Sequence, residues 1–324
     1  MTEIYDLNNN EINYYKAGSY GGNAGNKDAI LWNGDTWMIK YPKSTKSMDV
    51  EGLSYTTAPL SEYIGSHIYD LLGINVHKTE LGVRNGKVVV ACKDFCNEGE
   101  ILKEFRTIKN SANKYLAEKL DEEIGDSSDI TKVNLNELLL HFKYNEILTG
   151  VNGVEDFFWK MAVIDVFINN NDRNNGNWGL IYSNGQHKIA PVFDNGASFS
   201  NKTSDKKIKE FLCDYNKLRE SALNGRTVFY YNEKQLTAKK LIEFENESLK
   251  KAIKEVVPII EDCLEGIISF IYEIPTEHKG YSICSDERKL FYTEGLKIRL
   301  KELLQPAFHD LSERENKNIG AKAR

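Results

Sequence analysis

The chain has 324 residues, of which 41% are hydrophobic and 28% are charged, and its formal net charge at pH 7 is -6. This length suits one domain of two lobes, and the acidic balance disfavours broad nucleic-acid binding, although a local basic groove stays open. No apolar run approaches the roughly 20 residues that span a bilayer, and residues 1–6 show neither the basic region nor the apolar core of a secretory signal.

The cysteines are five in number and scattered along the chain: Cys92, Cys96, Cys213, Cys263 and Cys284. An odd, scattered set predicts reduced thiols in a cytosolic protein and not a disulfide framework. Cys92 and Cys96 are spaced like two metal ligands, but no second Cys/His pair has zinc spacing, so we expect no structural zinc. We therefore predict a cytoplasmic protein that does not bind membranes, with export as an effector left open.

A glycine-rich loop follows a first short strand at residues 11–16. Residues 17–27, Ala-Gly-Ser-Tyr-Gly-Gly-Asn-Ala-Gly-Asn-Lys, hold four glycines, whose freedom lets backbone N–H groups turn inward and cradle phosphate oxygens. The loop is not a Walker A motif, because no Gly-Lys-Ser/Thr opens a helix. A flexible turn is the simpler explanation of such a loop alone, so the phosphate interpretation depends on the strands next to it.

A hairpin comes next, with strands at residues 28–32 and 36–41 around the turn Asn33-Gly34-Asp35. Lys40 lies near the end of the second strand. A lone lysine on a strand is usually a solvated edge residue. In a nucleotide site, its ammonium would contact the α- and β-phosphates and would be held by a helix glutamate.

Residues 59–72 are predicted to form a helix, because Pro59 suits its first turn, Gly73 suits its end and apolar residues recur on one face. Glu62 lies in the first turn. Acidic residues are favoured there in any case, so Glu62 either complements the helix dipole or pairs with Lys40. Glu51, in the preceding loop, is the competing candidate for that pairing.

Strands at residues 76–83 and 87–92 follow, joined by Arg84-Asn85-Gly86, and lead through Ala-Cys-Lys-Asp-Phe into an acidic, glycine-containing link. Beyond residues 96–100 the alternating pattern gives way to helical ones at residues 99–120, 135–148, 154–169, 235–244, 248–272 and 285–304. We place a domain boundary there, with one lobe at residues 1–97 and the other at 98–324. The helix at 154–169 is apolar on nearly all sides, which indicates a core helix, and the charged tail from residue 312 should be frayed.

Two Asn/Asp/Gly-rich turns flank a second predicted hairpin, at residues 178–182 and 188–193 around Ser183-Asn184-Gly185. The loop before it carries Asp172 and Asn177, and the loop after it carries Asp194. Two carboxylates and an amide are therefore expected at one end of a small ribbon. A surface loop rich in turn formers would explain either loop alone.

Phosphoryl transfer needs such a set, since one carboxylate accepts the proton of the attacking hydroxyl while an amide and a second carboxylate hold magnesium. Asp172 and Asn177 stand five residues apart, as Asp and Asn do in the protein-kinase catalytic loop, and Asp194-Asn195-Gly196 stands where Asp-Phe-Gly would. The ordered pair of loops therefore favours a phosphotransfer site.

Four motifs, in order, resemble those of the HipA-like serine/threonine kinases, and above all the short CtkA-type members. They are Tyr-Gly-Gly-Asn-Ala-Gly-Asn-Lys at residues 20–27, Trp-Met-Ile-Lys-Tyr-Pro at 37–42, Asn-Asp-Arg with Asn-Trp-Gly at 171–179, and Pro-Val-Phe-Asp-Asn-Gly at 191–196. The resemblance covers residues 20–199, and the C-terminal helices fit it only loosely. It implies an α+β, bilobal protein-kinase-like fold with a small β-rich N-lobe carrying one helix and a larger, mainly helical C-lobe.

The resemblance also implies ATP and Mg²⁺ as cofactors and a protein hydroxyl as acceptor. Asp172 would orient and deprotonate that hydroxyl, Asn177 and Asp194 would bind magnesium, and Lys40 would hold phosphates. The nucleotide would contact the glycine-rich loop, the first strands and the backbone of the interlobe link, a set that comprises Gly21, Gly22, Asn23, Ala24, Gly25, Lys27, Lys40, Glu62, Cys92, Lys93, Asp94, Phe95 and Asp194. Ser19, or Tyr20 if the register differs by one residue, matches a loop position that is autophosphorylated in HipA.

Two features depart from kinase patterns. Family members often carry histidine two residues after the catalytic aspartate, where this chain has Asn174, so local support of the loop could differ. No Ala-Pro-Glu marker follows Asp194, which excludes an ordinary eukaryotic-type kinase.

Other functions stay open at this point. A lipid or small-molecule kinase of related fold uses the same Lys-Asp-Asn-Asp set, whereas a nucleotide-binding scaffold or toxin without turnover would not need Asp172. The resemblance allows an antitoxin-like partner, because HipA is the toxin of such a pair, and it equally allows an effector role like that of the CtkA type. The sequence names no substrate.

Overall fold

The structure, a computed structural model, describes residues 2–13, 27–48, 52–124 and 132–322, with the side chains described as far as residue 314. Part of the predicted nucleotide site lies outside these ranges, namely Gly21, Gly22, Asn23, Ala24 and Gly25. So do the candidate phosphorylation positions Ser19 and Tyr20 and the candidate lysine partner Glu51.

The strands are β1 (Tyr5–Asp6), β2 (Lys27–Trp32), β3 (Asp35–Lys40), β4 (Thr79–Arg84), β5 (Lys87–Lys93), β6 (Ile101–Glu104), β7 (Val133–Asn134), β8 (Gly179–Ser183), β9 (Gln186–Ile189), β10 (Arg226–Tyr231), β11 (Lys234–Thr237), β12 (Glu277–His278) and β13 (Tyr281–Ser282).

The helices are α1 (Ala58–Leu71), α2 (Phe105–Ile108), α3 (Lys114–Glu123), α4 (Leu135–Tyr144), α5 (Glu146–Thr149), α6 (Val154–Ile168), α7 (Asp205–Leu212), α8 (Tyr215–Leu223), α9 (Ala238–Ile242), α10 (Glu247–Glu273), α11 (Asp286–Arg299) and α12 (Gln305–Lys322). A 3-10 turn at Lys109–Ser111 and a π-helical turn at Leu300–Leu304 complete the helical elements. Among the described residues, none of the helices is both long enough and apolar enough to cross a membrane.

The chain divides into two compact units. The first comprises Met1–Asn97, Pro191–Ser221 and Cys263–Gly295, and the second comprises Glu98–Ala190, Ala222–Asp262 and Leu296–Arg324. Each unit is thus assembled from three separate segments. The predicted division into lobes at residues 1–97 and 98–324 stays a prediction.

The first unit is built on a five-stranded sheet in the order β1-β4-β5-β3-β2. β1 runs parallel to β4, and the other neighbours are antiparallel. Asn33 and Gly34 both have positive φ, 52° and 81°, as the tight turn of a two-residue hairpin requires. The hairpin predicted around Asn33-Gly34 is therefore confirmed.

The two faces of this sheet differ in chemistry because side chains alternate along each strand. One face carries the buried apolar cluster of Leu7, Ile30, Trp37, Ile39, Val89 and Ala91. Lys40 follows Ile39 in β3, so it points to the opposite face, toward Glu62 of α1. Helix α1 contacts β4 and β5, and Gly73, with φ of 71°, ends it in the left-handed conformation that glycine favours.

The second unit holds a three-stranded sheet in the order β6-β8-β9, another in the order β11-β10-β7, and an aromatic core. The β8–β9 hairpin turns at Asn184 and Gly185, which both have positive φ, so this predicted hairpin is also confirmed. The stacked rings of Phe105 and Trp178, 4.5 Å apart, join Phe158 at the centre of the core. Helix α6 is buried along most of its length, as its apolar sequence predicted.

Two predicted helices were wrong over part of their length. The helix expected at residues 99–120 is β6, two short helical turns and α3, because Ile101–Glu104 pairs with β8 and extends the hairpin to three strands. The helix expected at residues 235–244 begins as β11, which pairs with β10, and becomes helical only in α9. Helix α12 extends into the charged tail as far as Lys322, and the expectation that this tail frays stays a prediction.

Candidate active site

Lys40 is the centre of the candidate site in the first unit. Its Nζ lies 2.8 Å from Glu62 Oε2 and 2.8 Å from Asp194 Oδ1, and its side chain is 15% exposed. Burial alone would lower the pKa of Lys40, but the charges of Asp194 and Glu62 raise it above its usual value, so the ammonium stays charged. Of the two roles predicted for Glu62, the structure thus shows the pairing with Lys40.

Glu62 is itself fully buried and accepts hydrogen bonds on both carboxylate oxygens. Oε2 accepts from Lys40, and Oε1 accepts from His77 Nε2 at 2.9 Å and from the backbone N–H of Asn195 at 3.0 Å. Burial by itself would raise the pKa of Glu62, yet Lys40 and His77 lower it below the usual value. The carboxylate is thus ionised and fully partnered.

Asp194 presents a carboxylate beside Lys40. Its backbone has a positive φ of 60°, and its side chain is 40% exposed. Burial raises the pKa of this carboxyl, but the Lys40 charge outweighs that effect and lowers the pKa overall. An ionised carboxylate with one oxygen on a lysine and substantial exposure is suited to bind a cation.

The position of Asp194 follows from a short parallel bridge between Val76 and Val192. The Val192 N–H donates to Asn75 O at 2.9 Å, and the His77 N–H donates to Val192 O at 3.0 Å. These bonds tie the strand-like segment before Asp194 to the connection between α1 and β4.

Lys27 is a second lysine of this site. It is directly opposite Lys40 in the β2–β3 ladder, so both side chains lie on the same face of the sheet. Burial and the charge of Lys40 lower the pKa of Lys27 below its usual value. Two lysines at adjacent ladder positions suit a polyanionic ligand.

The predicted link residues begin within the sheet. Cys92 and Lys93 belong to β5, and Lys93 pairs with Asp35 at 2.6 Å. The Asp94 N–H donates to Thr36 O at 2.9 Å, and Phe95 packs on Phe193 with ring centroids 5.7 Å apart. The link proper therefore starts at residue 94 and is tied to β3.

Glu62, His77 and Cys92 bring three metal-ligand side chains within 4.8 Å of one another. A positive ammonium already adjoins Glu62, and both oxygens of its carboxylate are used. Burial also raises the pKa of the Cys92 thiol, which keeps it protonated and a poor ligand. The cluster is a hydrogen-bonded network and not a metal centre.

Asp172 and Asn177 belong to the second unit, on the loop between α6 and β8. This loop is anchored by a buried, two-pronged ion pair: Arg173 Nε donates to Asp165 Oδ2 at 2.7 Å and Nη2 donates to Oδ1 at 3.0 Å. Asn170 Nδ2 also donates to Asp165 Oδ1, and Arg173 Nη1 donates to Asn177 O, both at 2.9 Å. Arg173 thus crosslinks the helix to the far end of the loop.

Asp172 is exposed, but its surroundings are ordered by neighbouring amides. Asn174 Nδ2 donates to Asp172 Oδ1 at 2.9 Å, and Asn174 Oδ1 accepts from the Gly176 N–H at 2.8 Å. Asn177 Nδ2 donates to the Asp172 carbonyl, so the amide oxygen of Asn177 takes no part in this bond. An accessible, oriented carboxylate of this kind can act as a general base.

Sequence reasoning missed His77, Ser66, Asn195, Asp165 and Arg173. A usable signal existed for Asp165: a carboxylate in the middle of an apolar helix must find a buried partner. Arg173 stands in the Asn-Asp-Arg motif, and its partners Asp165 and Asn177 lie only eight and four residues away. His77, Ser66 and Asn195 gave no local signal, because each has partners from distant parts of the chain.

Comparisons with known proteins found similar proteins by sequence and by structure. No protein-family model matches the chain. The serine/threonine-protein kinase CtkA of Helicobacter pylori is 33% identical over 216 residues, which are 66% of this chain and 62% of that protein. The chain thus matches less than two thirds of that relative's length.

Solved structures extend the likeness. The H. pylori proinflammatory kinase CtkA matches with a TM-score of 0.80 and 27% identity, over 96% of this chain and 99% of that chain. HipA of Shewanella oneidensis, solved with HipB and operator DNA, matches with a TM-score of 0.51 and 11% identity, over 89% and 67% of the two chains. At that identity the second match shows a shared fold alone.

Proposed function

We propose that this chain, which belongs to the HipA-like serine/threonine kinase family, transfers the γ-phosphoryl group of ATP to a serine or threonine hydroxyl of a protein. The match to CtkA confirms the predicted family and the α+β fold of the protein-kinase type. The observation that carries the proposal is Lys40, held 2.8 Å from both Glu62 and Asp194. Kinases hold their phosphate-binding lysine by a helix glutamate in this way.

Asp194 and Asn177 each carry a type of oxygen ligand that magnesium accepts. Mg²⁺ prefers oxygen ligands and uses one or two carboxylates together with phosphate oxygens. Asp194 offers a half-exposed carboxylate, and Asn177 commits its amide nitrogen to Asp172, so its oxygen is the atom suited to a cation. When bound, magnesium would neutralise the negative charge of the phosphates.

The protein's own residues perform the remaining steps. Asp172 accepts the proton of the substrate hydroxyl as the bond from that oxygen to the γ-phosphorus forms and the bond to the β-phosphate oxygen breaks. Lys40 and Lys27 supply positive charge to the phosphates. The glycine-rich loop at residues 21–25 would cover the nucleotide, and the backbone of residues 92–95 would bind its base.

Self-inhibition is a further part of the proposal. A phosphate on Ser19, or on Tyr20, adds a charge of about -1.5 to -2, and a loop carrying it meets like charge when it covers ATP. Ser19→Asp should therefore reduce ATP affinity. Mass spectrometry of protein incubated with Mg²⁺ and ATP decides the point, since active protein without phosphate at residues 17–27 contradicts it.

Different observations support a protein substrate and an antitoxin-like partner. The substrate follows from relationship to a protein kinase. The HipA structure contains HipB and operator DNA, but that match concerns the fold, so a partner of this kind for the present chain has support only from resemblance.

The test is incubation of the wild-type protein with γ-labelled ATP, Mg²⁺ and a cell-lysate protein mixture, scored for labelled protein. Asp172→Asn serves as the matched inactive control. Label in protein with the wild type alone supports the proposal. ATP consumption without labelled protein indicates a lipid or small-molecule kinase, and nucleotide binding without consumption indicates a scaffold; either result overturns it.

A further inference from the structure

We infer that His77 is a positioning residue for the proposed phosphoryl transfer, because it fixes the Glu62 carboxylate in the orientation that pairs with Lys40. The inference rests on the proposed function and adds to it a group that contacts neither nucleotide nor substrate.

The protonation of His77 at this contact follows from its partner. Glu62 and His77 are 1% and 2% exposed, and their nearest atoms are 2.9 Å apart. An ionised carboxylate only accepts hydrogen bonds, so His77 Nε2 carries the proton and donates it to Glu62 Oε1. Glu62 Oε2 is then left facing Lys40.

His77 is itself held by the backbone. It lies between α1 and β4, where its N–H donates to Val192 O at 3.0 Å. The same peptide segment thus anchors the strand before Asp194 and directs the imidazole at Glu62. Movement of this segment would shift both carboxylates that contact Lys40.

The hydroxyl of Ser66 completes the network. Ser66 follows Glu62 by one helical turn, and its Oγ lies 3.2 Å from His77 Nε2. The same Oγ accepts from Asn195 Nδ2 at 3.0 Å, while the Asn195 N–H donates to Glu62 Oε1. Glu62 and Ser66, on one face of α1, thus share the single Nε2–H of His77, and both also accept from Asn195.

The consequence is a helix fixed in the position that supports Lys40. Glu62 is bonded by groups from three separate segments: β3, the α1–β4 connection and the Asp194 loop. Contacts from these three segments thus hold the carboxylate of the ion pair. Loss of the His77 bond would leave Glu62 Oε1 with one donor and allow the carboxylate to rotate away from Lys40.

Three variants separate positioning from a merely structural role. His77→Leu removes the donor, and His77→Gln returns an N–H at a similar reach from the backbone. His67→Leu is the matched control: His67 is also partly buried, on α1 itself, but it bonds Tyr63 O and stacks on Phe270. We expect His77→Leu to lower kcat about 10- to 100-fold, the usual effect of removing a group that orients a ligating side chain. His77→Gln should recover most of it, and His67→Leu should retain kcat.

A double-mutant cycle tests the route of action. If His77 acts through Glu62, adding His77→Leu to Glu62→Gln lowers kcat no further, since the two residues act as one unit. Full additivity of the two losses, or wild-type kcat in His77→Leu, overturns the inference while the proposed function stands.

A readout without turnover keeps the two proposals distinguishable. In ¹⁵N-lysine-labelled protein, the Lys40 ammonium signal, assigned with Lys40→Arg, reports protection of its protons by ion pairs. We expect the wild-type signal in His77→Gln and His67→Leu, and a weakened, shifted signal in His77→Leu and Glu62→Gln. An unchanged signal in His77→Leu contradicts the inference even if the wild type transfers no phosphate, and absent transfer alone contradicts only the proposed function.

Discussion

Arg173 and Asp165 form a bidentate ion pair in which both side chains are almost fully buried, at 1% and 3% exposure. A third guanidinium nitrogen of Arg173 donates to Asn177 O at 2.9 Å. The pair therefore joins α6 to the loop that carries Asp172. Its geometry satisfies the planar fork of arginine, which lysine cannot reproduce.

Arg173→Leu should lower the free energy of unfolding by about 3–5 kcal/mol, because it leaves the Asp165 carboxylate buried without its cation. Arg173→Lys should fall between this variant and the wild type. Urea unfolding measures both. The control is Lys114→Leu, which removes a partner of an exposed pair whose side chains are 92% and 64% accessible. A loss in Arg173→Leu no larger than in this control would show that the pair contributes little.

Local sequence patterns predicted the turns and helix ends that a few neighbouring residues determine. The turns at Asn33-Gly34 and Asn184-Gly185 adopt the positive φ angles that these residues favour, and α1 begins beside Pro59 and ends before Gly73. The roles of Lys40, Asp172, Asn177 and Asp194 were inferred from the spacing of motifs, and they stay predictions.

Elements and contacts that depend on residues far away in the sequence could not be predicted in this way. Ile101–Glu104 has a helix-compatible sequence, and only pairing with β8, some 80 residues later by number, makes it a strand. The contacts of His77 and Asn195 with Glu62 span 15 and 133 residues of sequence. No local sequence pattern links residues at such separations.

Asp172→Asn should lower the rate of phosphate transfer by at least about 10²-fold, because it removes the proposed general base. ATP affinity should change little, since a base acts in the transition state and not in nucleotide binding. Single-turnover transfer of labelled phosphate and calorimetric titration with ATP measure the two quantities. Near-normal turnover in this variant would remove Asp172 from its assigned role.

Asp194→Ala should abolish the tightening of ATP binding by magnesium, because it removes the proposed carboxylate ligand. Lys40→Ala should instead weaken ATP binding both with and without the metal, because the proposed function places the ammonium on the phosphates. Calorimetric titrations with and without Mg²⁺ compare the two variants. An unchanged magnesium effect in Asp194→Ala would place the metal elsewhere.

His141 should make stability depend on pH. Burial, followed by the charge of Lys109, lowers its pKa from 6.5 to about 4. The unfolded chain therefore binds a proton that the folded protein excludes, so the free energy of unfolding should fall as pH drops from about 6.5 to about 4, by about 3 kcal/mol in total.

Urea unfolding of the wild type and of His141→Asn over this pH range isolates the effect of His141. The asparagine keeps an acceptor for Asn145 Nδ2, which lies 3.1 Å from His141 Nδ1, but it does not titrate. The variant should show a flatter dependence on pH, whatever its stability at pH 7. Parallel curves for the two proteins would assign the pH dependence to other groups.

Asn174 should control how well Asp172 accepts a proton. Its Nδ2 donates to Asp172 Oδ1 at 2.9 Å, and the Gly176 N–H fixes the amide by donating to Asn174 Oδ1 at 2.8 Å. Asn174→Ala removes this donor from the exposed carboxylate, so kcat should fall about 10-fold, within the range for groups that orient a functional side chain. The KM for ATP should stay unchanged, because Asn174 contacts the base and not the nucleotide.

Asn174→His restores a ring donor at the position where family members often carry histidine, and it should recover part of the lost kcat. Steady-state kinetics with ATP varied measure kcat and KM for both variants, and Asn136→Ala, which removes an exposed amide bonded to Asn232 at 2.9 Å, is the control. A rise in KM for ATP with unchanged kcat would mean that Asn174 supports nucleotide binding instead of the base.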